Sequence, residues 1–264
     1  MPLARENHTV CYTFFQNDPL SLAGGEQVDV RDGTAVSHLI TLFQPEVIIH
    51  TVGSNGVPDL TNVIVQGATH MVQAAAQVGA RLVHISTDAI FNGMDAPYDE
   101  TADATPVNEY GRAKAIAETI VRPYANHAIV RTSLIYGLQQ MDHGTRWMAT
   151  ALRAGKPVTL FANQVRNPVW VETLSRACLE LAENEFVGVL NVAGRQVLTR
   201  ADFAMRMLDW WDIQERETLK VGVSDGKWSL DCRLDLTKAT AVLSTPLWGV
   251  DEVLAMARSE DDGG

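Results

Sequence analysis

Tyr110 and Lys114 are the two residues whose types and spacing most directly allow chemistry. They lie in the run NEYGRAKAIAE, and a separation of four places both side chains on one face of a helix. A phenol ionises at roughly pH 10 in water, so proton exchange near neutrality needs a nearby cation to favour the phenolate. Lys114 supplies such a cation, and the pair then suits a proton donor to a carbonyl oxygen. The same spacing also arises by chance on amphipathic helices, as an ordinary surface tyrosine and lysine.

A second set of groups narrows that choice. Ser86, Thr87 and Asp88 close the apolar run ARLVHIST, and ligands of open α/β sheets bind beyond the carboxyl ends of strands. A hydroxyl there is placed to bind a carbonyl oxygen. A strand-end turn, with Asp88 accepting from backbone N–H groups, accounts for the same residues. The two roles are compatible.

These groups need a frame, and the chain supplies one. Short β-rich runs, HTVCYTFF, PEVIIHTV, ARLVHIST and HAIVRTSLIYG, alternate with stretches of helical apolar spacing at 34–43 and 62–78. That order predicts βαβ units and a parallel sheet covered on both faces, hence a doubly wound α/β fold over residues 1–140. Over 141–264 the pattern loosens into a helix at 145–154, the strand VTLFAN, a helix at 171–183, the strand GVLNVAG and a helix from Thr199. Thr199 and Asp202 have the spacing of an N-terminal capping pair. The polar end, Ser259 to Gly264, reads as a frayed tail.

Composition excludes several classes of function. The 264 residues are 46% hydrophobic, enough for a substantial core, and the net charge of −11 argues against binding nucleic acid phosphates. No run approaches the roughly 18 apolar residues of a membrane span, and the start lacks a signal-peptide pattern. Cys11, Cys178 and Cys232 are scattered without ligand spacing, which suits reduced thiols in the cytoplasm. The seven histidines form no HExxH-like pair, so no metal is expected. His84 reads as a satisfied core side chain, and Trp210-Trp211 as packing.

The segments VHISTDAIFNG, APYDE, TPVNEYGRAKAIAE and IVRTSLIYG occur in the order and approximate spacing of the dTDP-4-dehydrorhamnose reductase group of extended short-chain dehydrogenases/reductases. The chain resembles that group, with weaker similarity through most of residues 8–255. The resemblance implies a Rossmann-like NAD(P)-binding domain over 1–140 and a small, mainly substrate-binding part over 141–264, some of whose elements return to the main sheet. It implies reduction of a 4-keto nucleotide sugar with NADPH or NADH. Thr87 then orients the substrate carbonyl, Tyr110 is the general acid, and Lys114 tunes Tyr110 and binds the cofactor ribose. Ser86 and Asp88 join Thr87 on the substrate side. Asp29 and Val30 resemble the segment that meets the adenine ring, and Thr51, Val52 and Gly53 the strand end beside the cofactor. Arg166 is offered to a nucleotide-sugar phosphate, with a solvated surface arginine as the alternative. A homodimer is compatible with this picture.

The sequence also departs from the group. No strand followed by a glycine-rich turn precedes HTVCYTFF, which matches the group's second strand; Gly24-Gly25 lies beyond it and lacks the GxGxxG context. Ladder hydrogen bonds in mid-sheet are expected to go unmade, with loss of stability and cofactor affinity. Thr87 is followed by Asp88-Ala89 and not by Asp-Glu, which favours ketone reduction over dehydration. Ala89 stands where such reductases often carry tyrosine, and Lys227-Trp228 replaces an Arg-Pro pair, so the sugar need not be rhamnose. Thr13 to Gln16 offers neither an acid for NAD nor an arginine for NADP. The alternative is a noncatalytic protein binding a nucleotide sugar or a protein partner, similar to the regulatory subunit of methionine adenosyltransferase.

Overall fold

The alternating runs become parallel strands with helices packed against them. The computed structural model describes residues 2–18, 20–56, 58–226 and 228–261. Two units interleave along the chain and do not meet at a single boundary near residue 140. The first takes residues up to 86, 109–130 and 175–190; the second takes 87–108, 131–174 and 191 onward.

In the first unit a short helix α1 (Pro2–Asn7) leads to β1 (Tyr12–Phe14), which pairs in parallel with β2 (Gly25–Gln27). Farther along, β3 (Val47–His50) pairs in parallel with β4 (Arg81–Thr87), placing Val47 opposite Arg81 and His50 opposite His84. With β5 (His127–Thr132) and the strand Gly188–Asn191 they form a four-stranded sheet in the order 188–191, β5, β4, β3. Among the described residues β1 pairs only with β2, and β3 only with β4. Among the described residues the β1–β2 pair and the four-stranded sheet are separate, and the outer edges of β1 and β3 carry no strand.

Local chemistry fixes the helices of this unit. Asp32 starts α2 (Gly33–Phe43) by accepting from the N–H groups of Thr34 and Ala35, both at 3.0 Å. Helix α3 (Leu60–Val78) buries Leu60, Ile64, Ala68, Met71 and Ala75, a single stripe, and stops at Gly79, whose φ of +74° suits glycine. Helix α4 (Glu109–Val121) packs along α3. Its buried face carries Gly111, Ala113, Ala117 and Val121, and among these small and apolar residues also Lys114 and Glu118. Each large aliphatic side chain in this core contributes about 1.5–3 kcal/mol, whereas a buried lysine and glutamate must find partners.

The second unit is built from short strand pairs and longer helices. Ile135–Tyr136 runs parallel to Val169–Trp170, Val165–Arg166 antiparallel to Leu198–Thr199, and Val158–Phe161 parallel to Leu219–Gly222. Asp142 caps the helix His143–Arg153. Thr199 caps Arg200–Trp210, accepting from the Asp202 N–H at 3.0 Å while its hydroxyl donates to the Asp202 carboxylate at 2.7 Å. Trp210 and Trp211 pack against two separate apolar clusters, centred on Tyr136, Phe203 and Met207 and on Leu152, Leu160 and Leu208. The helix Val250–Asp261 runs through Ser259 to Asp261, where the sequence suggested a frayed tail; residues 262–264 lie outside the described residues, as does Lys227. No described helix is long and apolar enough to cross a membrane.

Candidate active site

Helix α4 presents Lys114 toward the carboxyl ends of β3 and β4. The ammonium donates to the carbonyl of Val52 at 2.8 Å and to that of Ile85 at 3.0 Å, and the residue is only 2% exposed. Burial lowers its pKa from the ordinary 10.5 to about 8, against the opposing pull of Glu118. Its proton is therefore held weakly enough to exchange near neutrality. Tyr110, one turn earlier, is half-buried against the core of the first unit.

Glycine is required where the Lys114 chain passes β3. Gly53 has a φ of +113°, and a Cβ there would stand 2.8 Å from Ile64 Cγ1 and 3.1 Å from Lys114 Cε. Val52 and Gly53, read from the sequence as lying beside the cofactor, thus also form the seat of Lys114. Thr51 is exposed at the same strand end.

Ser86 has a partner within the unit. Its hydroxyl donates to Glu118 Oε1 at 2.6 Å, and Arg122 approaches Glu118 Oε2 at 3.2 Å. Ser86 ties β4 to α4, and Glu118 sits one turn beyond Lys114 on the same buried face. In this arrangement the Ser86 hydroxyl is engaged within the unit.

A pair that sequence reasoning missed lies in the same layer. His50 and His84 are 3% and 0% exposed, and their Nδ1 atoms are 3.0 Å apart. Among the described residues neither Nε2 has a hydrogen-bond partner. Burial lowers both pKa values, that of His50 to about 3, and the charge of Lys114 adds to the effect on each. Both rings are neutral at pH 7, one donating through Nδ1 and the other accepting. The expectation that His84 is a fully satisfied core residue is corrected: it is half satisfied, and its partner is another histidine.

The expected adenine side is a slot of about 130 Å³ whose lining includes Phe14, Phe15, Asp29, Val30, Val52 and Val63. Arg31 donates to Asp29 from its own N–H and from its guanidinium, which keeps the Asp29 carboxyl below the usual range. Arg31 also reaches Asp59 at 3.1 Å and lies over the Phe15 ring, 5.6 Å from its centroid. The slot is small beside the roughly 300–1,000 Å³ of complete ligand pockets. It offers apolar walls for one ring, and Val52, which lines it, also accepts from the Lys114 ammonium. No glycine-rich turn for a pyrophosphate occurs among the described residues.

In the second unit Thr87 caps the short turn Asp88–Ile90: its Oγ1 accepts from the Ala89 N–H at 3.1 Å and donates toward Asp88 Oδ1 at 3.4 Å. Asp88 is buried, with Ser133 Oγ donating to Oδ2 at 2.6 Å and Arg166 Nε at 3.4 Å from the same oxygen. Burial raises the Asp88 pKa, and Arg166, Ser133 and Arg200 oppose that rise. Arg166 is 6% exposed, so it is not a solvated surface arginine. Its guanidinium also donates to the carbonyls of Val165, Leu230 and Ser229. These bonds make Arg166 the post that holds Asp88 and the 229–230 segment.

Ser133 and Arg200 were not singled out by sequence. The signal for Ser133 was its place two residues from the Arg131 of a strand already recognised; nothing marked Arg200. Tyr98 of the APYDE segment stacks on Phe91, centroids 4.0 Å apart, and its hydroxyl accepts from the N–H groups of Gly93, Met94 and Asp95. That motif shapes the loop after Thr87. Among the described residues no three His, Cys, Asp or Glu side chains are placed to hold a metal.

Residues 4–226 match the family model of the RmlD substrate binding domain. Methionine adenosyltransferase 2 subunit beta of Rattus norvegicus is 28% identical over 204 residues, covering 71% of this chain and 61% of that protein. The chain thus spans less than two thirds of that relative's length. Among solved structures, a hypothetical dTDP-4-dehydrorhamnose reductase from Sulfolobus tokodaii superposes with a TM-score of 0.81 at 26% identity, over 95% of this chain and 92% of the other. The dTDP-4-dehydrorhamnose reductase of Bacillus anthracis, solved in complex with NADP, gives 0.70 at 24% identity over 85% and 84% of the two chains. The match over residues 4–226, on a Rossmann-like fold, makes this chain a member of the RmlD substrate-binding-domain family.

Proposed function

We propose that the chain acts in the NAD(P)H-dependent reduction of a 4-keto nucleotide sugar in the cytoplasm. The observation that carries this reading is the buried Lys114 ammonium, held by two strand-end carbonyls four residues from Tyr110 and titrating near pH 8. When bound, the nicotinamide supplies hydride to the carbonyl carbon. Tyr110 gives its hydroxyl proton to the carbonyl oxygen, and the positive charge of Lys114 favours the phenolate left behind. By resemblance to the family, Thr87 is assigned the hydrogen bond that orients the carbonyl. Asp88 and Arg166 fix the Thr87 turn, and Ser86 fixes α4 through Glu118. Asp29, Val30, Thr51, Val52 and Gly53 line the cofactor's two ends.

The decisive experiment mixes the purified chain with a dTDP-4-keto-6-deoxy sugar and NADPH or NADH and follows the loss of reduced cofactor. Turnover by the wild type, with Tyr110→Phe lowering it by about 10²–10⁴-fold while sugar binding is kept, supports the reading. A second reading has its own support in the similarity to methionine adenosyltransferase 2 subunit beta. In it the chain binds a nucleotide or a protein partner without hydride transfer, and binding with no cofactor oxidation would favour it.

A further inference from the structure

Lys114 is a charged side chain sealed inside the first unit, and its two strand-end acceptors are neutral. The carbonyls of Val52 and Ile85 take the ammonium's N–H groups at 2.8 and 3.0 Å. Such dipoles offset part of the cost of burying an ammonium, but they do not cancel its charge. Few groups of the surrounding elements could do so. β3 and β4 contribute His50 and His84, whose rings are paired with each other and neutral at pH 7. The helix α3, packed along α4, carries His70 as its one titratable residue, and that ring is bonded to the Val30 carbonyl at 2.8 Å. On α4 itself Glu109 and Arg112 are exposed, Tyr110 lies one turn before Lys114, and the buried carboxylate is Glu118, one turn after it.

Glu118 is gripped at both oxygens. Ser86 Oγ donates to Oε1 at 2.6 Å from the end of β4, and Arg122 stands 3.2 Å from Oε2. A spacing of four on a helix brings the Cβ atoms of Lys114 and Glu118 to about 5–6 Å. Opposite charges in a layer closed to water favour each other's ionised forms at that range. Arg122 competes for the same carboxylate, but its side chain is 46% exposed against 3% for that of Glu118, so water screens it. The pull of Glu118 on Lys114, set against the effect of burial, has the sign this arrangement requires.

We infer that Glu118 is the counter-charge that keeps Lys114 an ammonium in its buried seat, that Ser86 is the positioning residue that fixes this carboxylate, and that Arg122 draws part of its charge away. Ser86 then serves the site through Glu118, as a strand-end anchor for a charge on the neighbouring helix. The charge balance is a property of the folded chain; its effect on turnover rests on the reductase reading above.

The test is an NMR titration of the full chain, with lysine isotopically labelled at Cε and the Lys114 signal identified by its loss in Lys114→Met. The wild type titrates at about 8. Glu118→Gln, which keeps the shape and removes the charge, is expected to lower the midpoint by about 1–3 pH units, and Ser86→Ala to lower it by less. Arg122→Gln is expected to raise it. Shifts of opposite sign from two substitutions in one ion pair follow from a charge balance and not from loosened packing. If Glu118→Gln does not fold, Arg122→Gln, at a half-exposed side chain, reads the same balance. An unchanged Lys114 midpoint in either variant, or shifts of the same sign in both, overturns the inference. With NADPH and a 4-keto nucleotide sugar, the pH profile of kcat/KM is expected to move with the same signs. Lys114 shifts of the expected signs in a chain that oxidises neither NADPH nor NADH uphold the inference and sink the reductase reading alone.

Discussion

His50 and His84 face each other across neighbouring strands with their Nδ1 atoms 3.0 Å apart and both Nε2 atoms unpartnered among the described residues. Removing one ring strands the other's Nδ1, at a cost of roughly 1–3 kcal/mol. Replacing both by leucine removes the two needs together, so the double variant is expected to lose less stability than the sum of the single ones. Urea unfolding of His50→Leu, His84→Leu and the double variant measures this coupling; strictly additive losses would contradict the pairing.

The same pair predicts acid sensitivity. The unfolded chain protonates His50 near pH 6.5, whereas the folded chain holds that pKa near 3, so the unfolded state binds more protons between those values. Stability is complete above the unfolded pKa and falls as pH drops, by roughly 2 kcal/mol for His50 between pH 7 and 5. Unfolding curves at both pH values should show this loss in the wild type and a smaller loss in the double leucine variant.

Lys114 predicts the opposite end of the scale. Its folded pKa of about 8 lies below the ordinary 10.5, so the cost of burying the charge is fully present below pH 8 and is relieved as pH rises toward 10.5. The wild type should gain roughly 2–3 kcal/mol from this group between pH 7 and 10. Lys114→Met should lack the gain. Parallel urea titrations at the two pH values decide it, and identical pH responses would refute the buried charge.

Gly53→Ala combines a positive φ with a Cβ too close to Ile64 and Lys114. The expected loss is about 2 kcal/mol or more from strain and displacement, and the Lys114-dependent gain at high pH should shrink with it. An alanine variant as stable as wild type would show that the strand end has room to spare.

Arg166→Met leaves the buried Asp88 carboxylate without its arginine, an arrangement that costs about 3–5 kcal/mol in buried pairs. Asp88→Asn combined with Arg166→Met should recover part of that loss. Chemical denaturation of the single and double variants tests this; a double variant no better than Arg166→Met would assign Arg166's contribution to its carbonyl contacts alone.

Much of the frame was legible because periodicity reports burial. The runs HTVCYTFF, PEVIIHTV, ARLVHIST and HAIVRTSLIYG contain β1, β3, β4 and β5, and the stripe from Leu60 to Ala75 marks α3. Tyr110 and Lys114 were visible from their spacing, but that spacing says nothing of where Lys114 sends its protons. The two carbonyls it reaches belong to residues 62 and 29 positions away. His50 opposite His84 was recoverable in principle, by setting VIIH against RLVH in parallel register. Arg166 and Arg200 could not be told apart in sequence, since their difference lies in the carbonyls of Ser229 and Leu230, which close over one and not the other.

The divided sheet sets a hierarchy of opening within the first unit. The β1–β2 ribbon has three paired positions and no second neighbour among the described residues, while β4 and β5 are bonded on both sides and sealed under α3 and α4. Amide exchange with solvent deuterium is therefore fastest in the ribbon and slowest in β4 and β5, because local opening requires less free energy where fewer contacts are broken. The slot beside Asp29 and Val30 is partly walled by that ribbon, whereas the seat of Lys114 belongs to the slow-exchanging layer. In the proposed reading, one end of the dinucleotide cleft is thus rigid before any ligand arrives, and the other gains order from the ligand.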